Sequence, residues 1–168
     1  MRAYLKMTIP VVLFLLLGAS LVQSPVFAAD SPGGMAKVVY HADFSDPRRF
    51  SAMLTSINNM VTYYQNELLE YDVRVVFVAH GIRFLTDDKL ADTPFASDDA
   101  LEDRRSNLKG RLSALNSVQG VKLELCDITR AQVKLPKEKL YPGVEIVPSG
   151  VVRLAELQQN GFAYIKVE

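Results

Sequence analysis

Beyond residue 36 the chain alternates short runs of β-branched and aromatic residues with longer segments whose apolar positions recur at helical spacing. Five β-rich runs centre on Val38-Val39-Tyr40, Val73 to Ala79, Val121 to Leu125, Val144 to Val147 and Ala163 to Val167. The second run, Val73-Arg74-Val75-Val76-Phe77-Val78-Ala79, is apolar at nearly every position, as a central parallel strand covered on both faces requires. The last, Ala163-Tyr164-Ile165-Lys166-Val167, alternates as an edge strand does.

Between the first two runs, Phe50, Met53, Leu54, Ile57, Val61, Tyr64 and Leu68 share one helical stripe, with Asp46 or Pro47 as the start. Between the second and third, Leu101, Leu108, Leu112, Leu115 and Val118 repeat the pattern, and Arg104, Arg105, Lys109 and Arg111 fall mostly on the opposite, solvated side. Ser149 caps a further helix carrying Val151, Leu154, Ala155 and Gln158, which Gly161 stops in the left-handed conformation. Strands alternating with helices need crossover connections, so the expected fold is a three-layer α/β/α sandwich around a mostly parallel five-stranded sheet.

The stretch Arg83 to Ala100 (RFLTDDKLADTPFASDDA) has no period and reads as a mobile, solvated connection able to act as a lid. Its paired aspartates, Asp87-Asp88 and Asp98-Asp99, lack the spaced oxygens and central glycine of a calcium loop.

The N-terminus follows a different rule. Arg2 and Lys6 precede an uncharged stretch from Thr8 through Val22, and small residues occupy the recognition positions before Ala29. Residues 1–28 therefore read as a cleavable signal peptide, 29–36 (ADSPGGMA) as a disordered lead-in, and 37–168 as one domain. The apolar core, broken by Pro10 and Gly18, falls short of the ~20 residues of a membrane-spanning helix. The expected location is periplasmic or secreted, with no membrane attachment after cleavage.

Cleavage leaves 140 residues, with 17 Lys plus Arg against 19 Asp plus Glu. That balance supplies no basic face for nucleic acid or an anionic membrane. One cysteine, Cys126, in an exported chain excludes an internal disulfide, so the thiol is either packed and inert or reactive toward an outside partner.

Candidate chemistry gathers after the strands, where parallel sheets bind ligands. His41 follows the first run, His80-Gly81 the second, Cys126 the third and Pro148-Ser149-Gly150 the fourth. Thr129-Arg130-Ala131-Gln132 fits a capping box just after Cys126, whose thiolate both a helix start and Arg130 favour while Asp127 opposes it. Each histidine is either a proton acceptor or a hydrogen-bonded structural group. The three together also raise a His/His/Cys site for zinc or copper, weakened by the long spacing of the ligands. The Ser149 turn, with the Gly150 amide exposed, resembles an anion-binding helix start, although capping alone explains it. No nucleophile elbow, phosphate loop or dinucleotide fingerprint is present, which leaves hydrolase, kinase and dehydrogenase readings without support.

The chain resembles the DsrE/DsrF-like family in its exported, single-domain branch. The resemblance rests on Val38-Val39-Tyr40-His41, on Val76-Phe77-Val78-Ala79-His80-Gly81, on Cys126 with Thr129, and on the tail from Pro142 through Ser149-Gly150 to Lys166. It implies an α/β/α fold, assembly as a homo-oligomer (trimer or hexamer) and, as in sulfur-trafficking members, a cysteine after a strand that accepts sulfur as a persulfide. Carried over to this sequence, it makes Cys126 the acceptor, assisted by His80 and His41, with Gly81, Thr129, Ser149 and Gly150 lining the substrate and with neither cofactor nor metal. The expected partner is a sulfur donor or acceptor protein or a small sulfur species. A signal peptide departs from the cytoplasmic relays of the family. Against this stands a non-catalytic homo-oligomeric binding module with a buried, inert cysteine.

Overall fold

The computed structural model describes residues 34–168; the segment read as a signal peptide, and the lead-in before Gly34, lie outside the described residues. Five strands form one sheet: β1 (Ala36–Ala42), β2 (Tyr71–Phe77), β3 (Lys122–Cys126), β4 (Val144–Val147) and β5 (Ala163–Ile165). Their order is β4-β3-β2-β1-β5 and every neighbouring pair is parallel. β1 begins at Ala36, one residue before the expected start. β5 is an edge strand, as its alternation implied, and β4 is the other edge.

Side-chain alternation divides the sheet into two unequal faces. Tyr40, Val75, Phe77, Leu123 and Leu125 point into the main core, closed by α1 (Pro47–Asn66) and α3 (Arg105–Ser117). The other face is apolar only around Val39 and Val76, which meet Leu154 and Leu157 of α5 (Gly150–Gln159) and Phe162. The rest of that face carries charge, including Arg74 on β2 and Glu124 on β3. One connection, β4 to β5, passes over it, because β5 must return to the far side of β1.

α1 starts where the sequence placed it. The Asp46 carboxylate accepts from the amides of Arg48 (2.7 Å) and Arg49 (3.4 Å), and Pro47 occupies the first turn, where its missing N–H costs nothing. The stripe ends earlier than expected: Leu68 lies beyond the helix with φ +54° and is 91% exposed. The second predicted helix is two, since Leu101 belongs to a short α2 (Asp99–Glu102) and α3 begins at Arg105. Val118, at the C-cap of α3, is exposed rather than packed. On α5, Ser149 and Gly161 act as expected, the serine side chain accepting from the Val152 amide and the glycine at φ +84°. Its buried face, however, is Gly150, Leu154 and Leu157, while Val151 and Ala155 are exposed.

Two solvated expectations are corrected by packing. Arg105 is not on a solvated face: its guanidinium donates to Glu102 (2.6 Å) and to the carbonyls of Arg83 (3.1 Å) and Thr86 (2.5 Å). Arg111 similarly donates to Ser51 Oγ (2.6 Å) and Thr55 Oγ1 (2.8 Å), joining α3 to α1. Nor is the stretch from Arg83 to Ala100 an open, solvated lid. Phe84 stacks flat on Phe50 at 4.0 Å between centroids, and Leu85, Thr86, Leu90 and Phe95 are buried. Arg83, itself buried, reaches the carbonyls of Ser45 and Ala96 and the Asp98 carboxylate. Thr86 Oγ1 donates to the Lys139 carbonyl at 2.8 Å, so both halves of the stretch are tied to the body of the fold. Composition suggested solvent because few of its residues are large and apolar, but those four, Phe84, Leu85, Leu90 and Phe95, are all buried.

Candidate functional site

Cys126 is the last residue of β3 and the N-cap of α4 (Asp127–Gln132). The helix therefore opens at the cysteine itself, three residues before the predicted Thr129 start, and the Thr-x-x-Gln box does not form as a cap. Thr129, third in the helix, turns its hydroxyl inward instead. Its oxygen accepts from the Ala79 amide at 3.0 Å.

Cys126 is only 3% exposed. Burial pushes the thiol pKa up, but the amide of Gly150, the amide and hydroxyl of Thr129 and the amide of Ile128 all donate toward the sulfur, and the net result lies below the ordinary thiol value. Donors oriented in this way favour the charged form, as at a helix start. Asp127 and Arg130, expected to pull in opposite directions, pair with each other at 2.7 Å, and Arg130 also donates to the Leu135 carbonyl.

Gly150 is at this site for want of space. A β-carbon there would lie 2.6 Å from Val78 Cγ2 and 3.0 Å from Cys126 Cβ, so α5 approaches the strand ends more closely than any other residue allows. Gly81 serves the same purpose on the other side of the sheet ends, where a β-carbon would meet the Ala42 carbonyl oxygen at 2.1 Å. Ser149 is occupied as the α5 cap. Between β2 and Gly81 the chain takes a 3-10 turn, Ala79–Phe84, entered through Ala79 at φ +49°, a conformation that non-glycine residues adopt at a cost.

The histidines do not join the cysteine. His41 shares a 2.9 Å hydrogen bond between its Nδ1 and Tyr164 Oη on β5, and its Nε2 lies 3.9 Å from Asp43, which Lys166 holds at 2.9 Å. Burial lowers the His41 pKa, against the opposing pull of Asp43. His80 sits on the 3-10 turn, edge-on to Phe95 at 5.2 Å, with its buried Nδ1 unpartnered. Neither ring is among the hydrogen-bond partners of Cys126. Among the described residues no three His, Cys, Asp or Glu side chains gather closely enough for a metal ion, so the two imidazoles and the thiol do not assemble a His/His/Cys centre. Strand ends that are equivalent in topology are still separated laterally, by about 4.8 Å per strand, and His41 lies two strands from Cys126.

One group escaped the sequence reading. Glu124, two residues before Cys126 on the same face of β3, is 1% exposed and accepts from Arg74 Nη1 (2.8 Å), Arg153 Nε (2.7 Å) and Arg153 Nη2 (2.9 Å). These contacts hold its carboxyl below the usual range although burial alone raises it. The signal was legible in Lys122-Leu123-Glu124-Leu125-Cys126, where a glutamate alternating with leucines in an inner strand demands a buried cation.

The fold resembles that of solved proteins. A protein of unknown function, MTH1491 from Methanobacterium thermoautotrophicum, superposes with a TM-score of 0.56 at 26% identity, over 78% of this chain and 98% of its own. The ychN protein from E. coli gives a TM-score of 0.48 at 18% identity, over 79% of this chain and 99% of its own. No curated protein sequence matches the chain. The DsrE/DsrF-like family model matches residues 37–167, from the first strand to the penultimate residue. The chain belongs to the DsrE/DsrF-like family.

Proposed function

We propose that this protein is an exported sulfur carrier in which Cys126 accepts sulfane sulfur as a persulfide and passes it to a second thiol or acceptor. The observation that carries the reading is the seating of the α5 start directly on Cys126, where a β-carbon on Gly150 would lie 3.0 Å from that of the cysteine, in a setting that holds the thiol pKa below its ordinary value in spite of burial. The family, with its sulfur-relay members, is in keeping with it. The thiolate attacks the outer sulfur of a donor R–S–S⁻, the donor's S–S bond breaks, R–S⁻ leaves and Cys126–S–S⁻ forms. Redox equivalents balance within the exchange, and the persulfide anion takes over the amide donors that held the thiolate. Thr129 and Gly150 are the direct contacts of the reacting atom. His80 and His41 act, in this proposal, on protons of an incoming donor rather than on the cysteine.

Purified protein incubated with polysulfide or thiosulfate and weighed intact gains one sulfur atom, and Cys126→Ser gains none. A wild type that stays unmodified overturns the proposal.

The second reading, a non-catalytic homo-oligomeric module, draws on the 3% exposure of Cys126. It requires the native thiol to resist a small water-soluble alkylating reagent at every pH below unfolding. Alkylation whose rate follows a depressed pKa removes it.

A further inference from the structure

Glu124 is a costly residue to bury. Moving a carboxylate from water into a sheet–helix interface is repaid only by close, well-directed partners, and apolar residues of similar volume often do as well or better for stability. The three bonds from Arg74 and Arg153 supply those partners, and Arg74 is itself held by Asp72 at 2.9 and 2.6 Å and lies over the Phe162 ring at 5.2 Å. Arg153 belongs to α5, one turn after Gly150. Its Nε and Nη2 grip the two oxygens of Glu124, a planar fork that fixes both distance and angle. The apolar contacts of α5 with the sheet are those of Leu154 and Leu157 with Val39 and Val76, and the fork adds a directional one. The fork sets where the helix starts, and at that start Gly150 packs against Cys126, where a β-carbon would lie 3.0 Å from that of the cysteine.

We propose that Glu124 and Arg153 are positioning residues for Cys126: their fork fixes the register of α5 on β3 and thereby holds the Gly150 amide against the sulfur. The proposal deepens the carrier reading and rests on it for its biological purpose. The charged groups on the elements around Cys126 are Arg74 on β2, Glu145 on β4, the Asp127–Arg130 pair on α4, His80 and Arg83 on the 3-10 turn, and Arg153 with Glu156 on α5. Glu124 is the anion nearest to the cysteine along its own strand. Two substitutions separate positioning from plain charge. In Glu124→Gln an anion is lost, so a charge effect alone lowers the thiol pKa, whereas a broken fork raises it. In Arg153→Lys the charge remains, so a charge effect leaves the wild-type value, whereas loss of the fork again raises it.

The measurement is thiolate absorbance against pH on the folded full chain, with Cys126→Ser as the blank and circular dichroism as the check on folding. Both variants are expected to raise the midpoint by about one unit, a roughly tenfold smaller thiolate fraction at a pH below it. A midpoint at or below wild type in Glu124→Gln, or an unchanged one in Arg153→Lys, overturns the proposal. Should Glu124→Gln fail to fold, Arg153→Lys decides alone, because Arg153 is 27% exposed and a lysine there keeps a solvent-facing charge. No sulfur donor is present in this titration. A wild type that refuses sulfur therefore overturns the carrier reading without touching the coupling, and unshifted midpoints overturn the coupling without touching the carrier.

Discussion

Gly150 and Cys126 are so close that a β-carbon on the glycine would stand 3.0 Å from that of the cysteine. A helix start and a strand end thus meet with no side chain between them. Gly150→Ala must push α5 outward, against both this contact and Val78 at 2.6 Å. Overpacking of this kind costs about 1–3 kcal/mol. Urea unfolding should show that loss, and thiolate absorbance should show a raised midpoint in the same variant.

Thr129 links the sulfur to the turn after β2. Thr129→Val keeps the shape but removes the hydroxyl, leaving the Ala79 amide without its 3.0 Å acceptor. An unsatisfied buried donor costs about 1–3 kcal/mol. The variant should be destabilised by that amount in denaturant and should have a less acidic Cys126, while Thr129→Ser, which retains the oxygen, should stay near wild type on both counts.

The Glu124 carboxyl has a folded pKa below its ordinary 4.5. Its contribution to stability is therefore present above pH 4.5 and is lost as pH falls through the folded value, where the unfolded chain already holds the proton. Glu124→Gln should be less stable than wild type at neutral pH, by about 3 kcal/mol for a broken buried pair, and should lose less stability on acidification below 4.5. Thermal unfolding across that range measures both.

His41 has the same sign for a different reason. Burial holds its folded pKa below 6.5, so the ring is kept neutral and the unfolded state takes up a proton first as pH falls. Stability tied to the neutral ring is present above 6.5 and drains away through the folded value. Ring resonances in solution NMR should titrate below 6.5, and His41→Gln should flatten the loss of stability in that window.

Export is expected to remove residues 1–28. Intact mass of protein recovered from its own host should correspond to a chain beginning at Ala29, and a product retaining Met1 would overturn that expectation.

The strands and helices were legible because their signals are local: a Val73–Val78 run apolar but for Arg74 for a central strand, Asp46-Pro47 for the start of α1, Ser149 and Gly161 for the limits of α5. The stretch after β2 was misread since its order comes from four large side chains and Arg83, whose partners lie at Ser45, Ala96 and Asp98, beyond any local window. Of the site, Cys126, Thr129 and Gly150 were placed by reading strand ends, and they do meet. His41 was placed by the same rule and does not, because two strands separate it laterally from Cys126. The fork from Glu124 to Arg153 spans 29 residues, and no period connects its ends.

Among the described residues a single helix lies above the face that bears Cys126, so opening a path to the sulfur and loosening the hold on that face are one motion. Tighter seating of α5 would make a sturdier protein and a slower thiol; looser seating would do the reverse. Natural variants of this chain should accordingly trade melting temperature against thiol exchange rate, and the residues that set the balance are those beneath one ten-residue helix.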